Sequence, residues 1–171
     1  VMVTKNGIIK KVEETAFESV RRSGLIAIKL KKDDILQWVG VTSGKDEIIL
    51  ATKLGKAIRF SERDVRPMGR NASGVKAMRL GKSDEVVGMD IVNTQPASVP
   101  PSDGISAGKQ RTNELLIITE NGFGKRTRIK EYKRQRRGGS GIKTAKITSK
   151  NGPIVNAKIL GGEEEELIAI S

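Results

Sequence analysis

Leu115-Leu116-Ile117-Ile118-Thr119-Glu120-Asn121-Gly122 is one of four versions of a single phrase in this chain. It matches Val1-Met2-Val3-Thr4-Lys5-Asn6-Gly7, then Ile48-Ile49-Leu50-Ala51-Thr52-Lys53-Leu54-Gly55, and finally Leu167-Ile168-Ala169-Ile170-Ser171. The hydroxyl residues Thr4, Thr52, Thr119 and Ser171 fall at the same place in each version. Self-similarity at a fixed period is the signature of a repeat fold, so this alignment decides how the rest of the chain is read.

After each turn glycine comes a short basic strand: Ile8-Ile9-Lys10-Lys11, Lys56-Ala57-Ile58-Arg59-Phe60 and Gly124-Lys125-Arg126-Thr127. Asn-Gly accepts the positive φ of a type I′ turn, so the strands on either side are expected to pair as an antiparallel hairpin. A polar connection then ends in a second glycine, Gly24, Gly74 or Gly141. From it departs an alternating segment, Leu25 to Leu30, Val75 to Leu80 or Ile142 to Ile147, and alternation at period two marks a half-buried strand. A fourth apolar segment closes each unit: Ile35 to Val41, Val86 to Val92 and Ile154 to Leu160.

Four short antiparallel strands in about 50 residues fall in the propeller class of repeats. The expected fold is therefore all-β, a single propeller-like domain over 1–171 with about three four-stranded blades, a partial ring. Its repeats span 1–45, 46–92 and 113–162, and a fourth begins over 163–171. Residues 93–112, with Pro96, Pro100, Pro101, Gly104 and Gly108, read as a flexible surface insertion, because the repeat resumes in register after them. No segment sustains an apolar helical period; only Glu13 to Ser19 and Glu62 to Val65 suit a helical turn. The chain opens and closes inside apolar segments, as a piece of a longer protein would.

Lysine and arginine number 32 against 20 acids, a formal net charge of +12, which points to a polyanionic partner: nucleic acid before an anionic membrane surface. Cysteine and histidine are absent, which removes disulfides, thiolate zinc sites and every nucleophile scheme with a histidine base. A cofactor-free cytoplasmic protein fits this composition, and no apolar run approaches the ~20 residues that span a bilayer. The paired acids Asp33-Asp34 and Asp84-Glu85 recur at the same turn of successive repeats and read as turn residues, not catalysts. Gly138-Gly139-Ser140-Gly141 lacks the Gly-Lys-Ser/Thr ending of a P-loop. Glu163 to Glu166 reads as a solvated turn.

The cations are not scattered. They fall on the second strand of each unit and the loop after it: Lys10, Lys11, Arg21 and Arg22; then Lys56, Arg59, Arg63, Arg66 and Arg70; then Lys125, Arg126, Arg128, Lys130, Lys133, Arg134, Arg136 and Arg137. Repeated units would align these clusters as one rim, a track for a phosphate backbone. Bending ~40 base pairs through half a turn costs roughly 10 kcal/mol, whereas one surface phosphate contact contributes about 1 kcal/mol or less. Several units acting together could hold such a bend, and one loop could not. One Trp, one Tyr and three Phe supply few stacking platforms, and no recognition helix is present, so the expected partner is duplex DNA bound with little sequence preference.

Gln135-Arg136-Arg137-Gly138-Gly139-Ser140-Gly141 resembles the gyrase A box, Gln-Arg/Lys-Arg-Gly-Gly-Lys/Arg-Gly, of the DNA gyrase A-subunit family within the type IIA topoisomerases. Lys56-Ala57-Ile58-Arg59-Phe60, Val65-Arg66-Pro67-Met68-Gly69-Arg70 and Asn121-Gly122-Phe123-Gly124-Lys125-Arg126-Thr127 are similar to the same family's C-terminal domain. The resemblance implies a β-pinwheel around which duplex DNA wraps, supporting ATP-driven negative supercoiling by a holoenzyme. It also implies that the nucleophilic tyrosine, the magnesium site and the ATPase lie in other domains, so that this chain holds no cofactor and Tyr132 is not the nucleophile. The implied partners are gyrase B, reached through the holoenzyme, and the rest of the gyrase A subunit; the implied place is the bacterial cytoplasm, at the nucleoid. The implied DNA contacts include Gln135, Gly138, Gly139 and Gly141 beside the cations. Ser140 departs from the box pattern, which has a cation there, and the surrounding sequence resembles a late blade, whereas the family's box belongs to the first. Three other readings stand beside it: the A-type subunit of topoisomerase IV, which binds DNA without strong wrapping, a protein-binding propeller, and a basic RNA-binding module.

Overall fold

A computed structural model describes residues 1–19, 22–93 and 113–161. All of the 93–112 insertion but Asn93, together with Arg21 and the start of the fourth repeat, lies outside the described residues. Among the described residues eleven strands run in chain order: β1 (Met2–Thr4), β2 (Ile8–Lys10), β3 (Leu36–Val39), β4 (Glu47–Thr52), β5 (Lys56–Ser61), β6 (Val75–Lys76), β7 (Val86–Val92), β8 (Glu114–Thr119), β9 (Gly124–Arg128), β10 (Ile142–Lys143) and β11 (Ile154–Leu160). Single 3₁₀ turns follow the second strand of each repeat, at Glu14–Phe17, Glu62–Asp64 and Ile129–Glu131. The fold is all-β, and every pairing between named strands is antiparallel.

The hairpins form where the repeats predict, but by a different turn. Gly7, Gly55 and Gly122 take φ of +73°, +85° and +78°. Their amides donate to the carbonyls of Thr4, Thr52 and Thr119 at 3.0, 3.0 and 2.9 Å. Among the described non-glycine residues only Asp33 and Ser83 have positive φ, so Asn6 and Asn121 do not adopt type I′ geometry. The turn is a tight three-residue loop closed by a left-handed glycine. That geometry makes no demand on the residue before the glycine, which is why Leu54 can stand there in the second repeat. The recurring threonine closes the turn from its other side, where its hydroxyl accepts from the amide four residues on, Ile8, Lys56 or Phe123, at 3.2, 3.3 and 3.2 Å.

Strand order departs from the simple repeat. The first sheet runs β3-β1-β2-β6, the second β10-β5-β4-β7 and the third β11-β8-β9. The outer strand of the first sheet therefore comes from the second repeat, and that of the second sheet from the third repeat. Leu25 to Leu30, expected as the matching strand of the first repeat, forms no strand. The exchange explains the second glycines: a Cβ on Gly141, at φ +69°, would lie 2.5 Å from the Ala57 carbonyl oxygen of the strand that β10 joins.

The cores lie between the sheets. Ile48 and Leu50 of β4 point into a cluster with Val3, Ile9 and Phe60, while the alternate residues Ile49 and Ala51 point into a second cluster with Leu115, Ile117, Ile129 and Tyr132. A strand covered on both faces has no polar side, which is why β4 reads as an unbroken apolar run. β8, covered on one face, alternates between buried and half-buried residues. Where β7 and β11 meet, Asp90 accepts from the Ile159 amide at 2.8 Å and pairs with Lys158 at 3.1 Å. β7 and β11 converge while β6 and β10 occupy the opposite edges, the arrangement of a propeller.

Candidate nucleic-acid interface

Four of the cations expected on the rim serve the fold. Lys10 is completely buried, and its ammonium donates to the carbonyls of Ala27, at 2.8 Å, and Arg70. Burial holds its pKa below the ordinary lysine value. Its assignment to the DNA track is corrected: no phosphate can reach it. Lys11 pairs at 2.8 Å with Glu62 of the next repeat, which is fully buried. Arg59 donates from Nε to Glu47 and from Nη1 to the carbonyls of Ile129 and Tyr132 at 3.0 and 3.3 Å, fastening the second repeat to the third. Arg137 donates from Nε to Asp64 O at 2.8 Å and from Nη1 to Lys76 O at 3.2 Å. A guanidinium has five N–H donors, so Arg137 retains donors for a ligand after meeting both carbonyls.

The box-like loop is seated the same way along its backbone. Gln135 N donates to Arg59 O at 2.8 Å, Gly138 N to Ala77 O at 2.6 Å, and Gly139 O accepts from Arg79 N at 2.8 Å. Tyr132, just before it, is buried with its hydroxyl bonded to Thr144 Oγ1, so it anchors the loop from beneath. The glycines of this loop let it lie close against the preceding sheet: Gly141 approaches Ala57, and Gly139 lies over Ile58.

The remaining cations face solvent. Arg22, Lys56, Arg66, Lys125, Arg126, Arg128, Lys133, Arg134 and Arg136 are exposed, and Arg70 is half-buried. Lys125 Nζ donates to Thr144 O at 2.9 Å, and Arg126 pairs with Glu114 at 2.7 Å while its side chain stays 59% exposed. Arg134 lies 3.6 Å from Glu47 and is likewise mostly exposed. Four further exposed cations belong to the same edge and are not among those the sequence places there: Lys76 and Arg79 on the segment containing β6, Lys143 and Lys146 on that containing β10. Alternation alone makes them the polar face of an internal strand. The exchange makes those strands the outer edges of the first two sheets: Lys143 pairs opposite Lys56, and the segment of Lys76 and Arg79 bonds the box-like loop at Arg137, Gly138 and Gly139. The sequence does carry a signal for them: Lys76 and Lys143 each lie two residues after a second glycine, and Arg79 and Lys146 each five after it.

The acids of the charged turns, by contrast, bond within the fold. Asp34 accepts from Thr4 Oγ1 and from the Asn6 and Ile35 amides, and Asp84 from the Leu54 and Glu85 amides. Glu85 pairs with Lys5 at 2.8 Å and Lys53 at 3.3 Å; these partners, against the opposing effect of burial, hold its carboxyl below the usual range. Glu13, Glu14, Glu18, Asp64 and Glu131 stay exposed in the loops after the second strands, where cations still outnumber them. Among the described residues no group of His, Cys, Asp and Glu side chains could hold a metal, and no helix is long and apolar enough to cross a membrane.

Antiparallel sheets exchanging their outer strands, with converging inner strands and a cationic outer edge, define a propeller-type repeat domain. The family model described as "DNA gyrase C-terminal domain, beta-propeller" matches residues 1–43, 46–93 and 113–160, and the chain belongs to that family. It is 41% identical over 168 residues to the A subunit of DNA gyrase from Staphylococcus epidermidis, and 40% identical to that from Staphylococcus aureus. Each alignment covers 98% of this chain and 17% of the relative, so the chain spans about a sixth of those proteins. Among solved structures it superposes on a C-terminal domain of DNA topoisomerase IV with a TM-score of 0.78 at 27% identity, covering 93% of this chain and 45% of that one. A DNA gyrase A C-terminal domain gives 0.74 at 28% identity, with 94% and 48% covered.

Proposed function

We propose that this chain binds duplex DNA along the outer edges of its sheets, with little sequence preference, and bends the duplex around them. The observation that carries this reading is the register of exposed cations on successive repeats: Arg66 and Lys133 in equivalent loops, Lys76 and Lys143 in equivalent outer strands. Each repeat neutralises a few phosphates as the duplex passes, so the cost of bending is shared. The DNA-contacting set is Lys56, Arg66, Arg70, Lys125, Arg126, Arg128, Lys133, Arg134 and Arg136, with Arg22 beside the first sheet and the unused donors of Arg137. Gln135, Gly138, Gly139 and Gly141 act by shaping the loop that presents them.

In the whole protein this bending serves an ATP-dependent topoisomerase in the bacterial cytoplasm. Its partners there are gyrase B and the remainder of the A subunit, with ATP and magnesium used outside this chain. The staphylococcal gyrase A relatives support that placement. The superposition on a topoisomerase IV domain favours a second reading, binding without a strong wrap. Titration of a linear duplex at stepped salt concentrations tests the shared reading: with about six phosphates neutralised, log affinity falls against log salt with a slope near −5. A flat response would overturn it.

A further inference from the structure

The turn after the second strand occupies the same place in all three repeats, but its charge changes from one to the next. Its buried or half-buried anchor, Phe17, Val65 or Tyr132, comes ten residues after the hairpin glycine, so Glu18, Arg66 and Lys133 are equivalent. Residues 13–19 carry three acids and no cation, 61–67 two of each, and 128–134 four cations and one acid. Where the second and third repeats present Arg66 and Lys133, the first presents a carboxylate.

Glu18 is exposed, as Arg66 and Lys133 are. That exposure belongs to the place in the repeat and not to the start of the sequence. The turns of the second and third repeats are each seated on the sheet before them, where Met68 N donates to Lys11 O and Gln135 N to Arg59 O, both at 2.8 Å, and their cations still face solvent. Glu13 stands in the same way where the third repeat has the exposed Arg128. Glu14 is different: its equivalent, Glu62, is the buried partner of Lys11, so position 14 belongs to the joints of the fold. The strand leading into the first turn does not offset these acids, since Lys10 is buried and Lys11 is paired.

We propose that Glu13 and Glu18 interrupt the phosphate track at the first repeat. The proposal rests on the duplex-binding reading above and gives the track a polarity: the turn of the third repeat attracts the backbone most, that of the second less, and that of the first repels it. A carboxylate at such a place acts by exclusion, because a phosphate passing it meets a like charge. The duplex meets the first sheet through Lys76 and Arg79, which the second repeat supplies, and through Arg22, and is held off the turn itself.

Titration of linear duplex with the parent, Glu18→Gln, Glu18→Lys and Asp33→Asn separates local repulsion from net charge. Asp33→Asn removes the same charge from an exposed turn outside the contact set, and asparagine accepts its φ of +61°. Glu18→Gln is expected to tighten binding more than Asp33→Asn does, and Glu18→Lys to tighten it about tenfold with a salt slope steeper by about 1. The chain contains no cysteine, so Ala16→Cys, Asp64→Cys and Glu131→Cys, at equivalent exposed places, can each carry a tethered iron chelate that cleaves nearby DNA. Strand cleavage is expected from positions 64 and 131 and little from 16. Equal tightening by Glu18→Gln and Asp33→Asn, or equal cleavage from all three places, would overturn the proposal. A flat salt response in the parent would instead overturn the duplex reading itself, and this proposal with it.

Discussion

Lys11 of the first repeat and Glu62 of the second form a 2.8 Å ion pair across the junction between their sheets, with the carboxylate fully buried. Thr42 Oγ1 and the Asp46 amide also donate to Glu62, each at 2.8 Å. The next junction uses other chemistry for the same end: Arg59 reaches the Ile129 and Tyr132 carbonyls. Basic residues near the rim thus divide into those that hold the repeats together and those free to meet a ligand.

Removing Lys11 tests the first kind. Burial alone would raise the Glu62 pKa, but the bonds from Lys11, Thr42 and Asp46 outweigh it and hold the carboxyl below its ordinary value. A depressed folded pKa stabilises the fold fully above the ordinary carboxylate range, and that contribution is lost as pH falls through the lower, folded value. Urea unfolding from pH 7 downward should show wild-type stability declining in acid, with a shallower decline in Glu62→Gln. Lys11→Met, which leaves a buried carboxylate short of its cation, should cost about 3 kcal/mol at neutral pH. An equal pH slope in wild type and Glu62→Gln would contradict this assignment.

Lys10 and Lys133 should separate cleanly. Lys10→Ala leaves two carbonyls without their donor in a buried site and is expected to cost about 2–4 kcal/mol, with the salt slope of DNA binding unchanged in the folded fraction. Lys133→Ala should leave the thermal midpoint within a degree or so, lower affinity for all sequences alike, and reduce the salt slope by about 1. Duplex titrations beside thermal melts of the two variants make the comparison. Equal losses of affinity at equal stability would place Lys10 on the DNA surface.

The glycines of the box-like loop should differ by position. Gly141→Ala forces a Cβ to 2.5 Å from Ala57 O, whereas at Gly138 the nearest atom to an added methyl would be Lys76 O at 3.7 Å. Both carry positive φ, +69° and +79°. Gly138→Ala therefore meets only the left-handed backbone penalty, about 1–2 kcal/mol, and Gly141→Ala should cost clearly more because β10 must shift off β5. Denaturation midpoints of the two variants decide the order. The reverse order would mean that Gly141 is kept for close approach to a ligand.

The hairpins, the repeat period and the all-β class are legible because turn glycines, recurring threonines and β-branched runs are local signals. Strand exchange is not. Alternation in Val75 to Leu80 shows that a strand exists and says nothing about which neighbour accepts its hydrogen bonds, since both candidates present similar backbones. Lys10 is misplaced by its sequence for a related reason: a lysine in a basic strand resembles a solvated face. Its equivalent in the second repeat, Ile58, is wholly buried, and an apolar residue at that place is the clue to an inward-facing position. The charge pattern identifies the right edge of the molecule, but hydrogen-bond partners sort its cations into structural and free.

Whether the outer edge bends DNA is settled by linking number. A closed circular plasmid is relaxed by a nicking-closing enzyme with increasing amounts of this chain, deproteinised, and its topoisomers resolved by electrophoresis. A chiral wrap predicts a shift in the mean linking number that grows with the ratio of chain to DNA and diminishes in a Lys133→Ala, Arg136→Ala double variant. Salt-dependent binding that leaves the topoisomer distribution unchanged would contradict wrapping and favour a domain that binds duplex DNA without curving it.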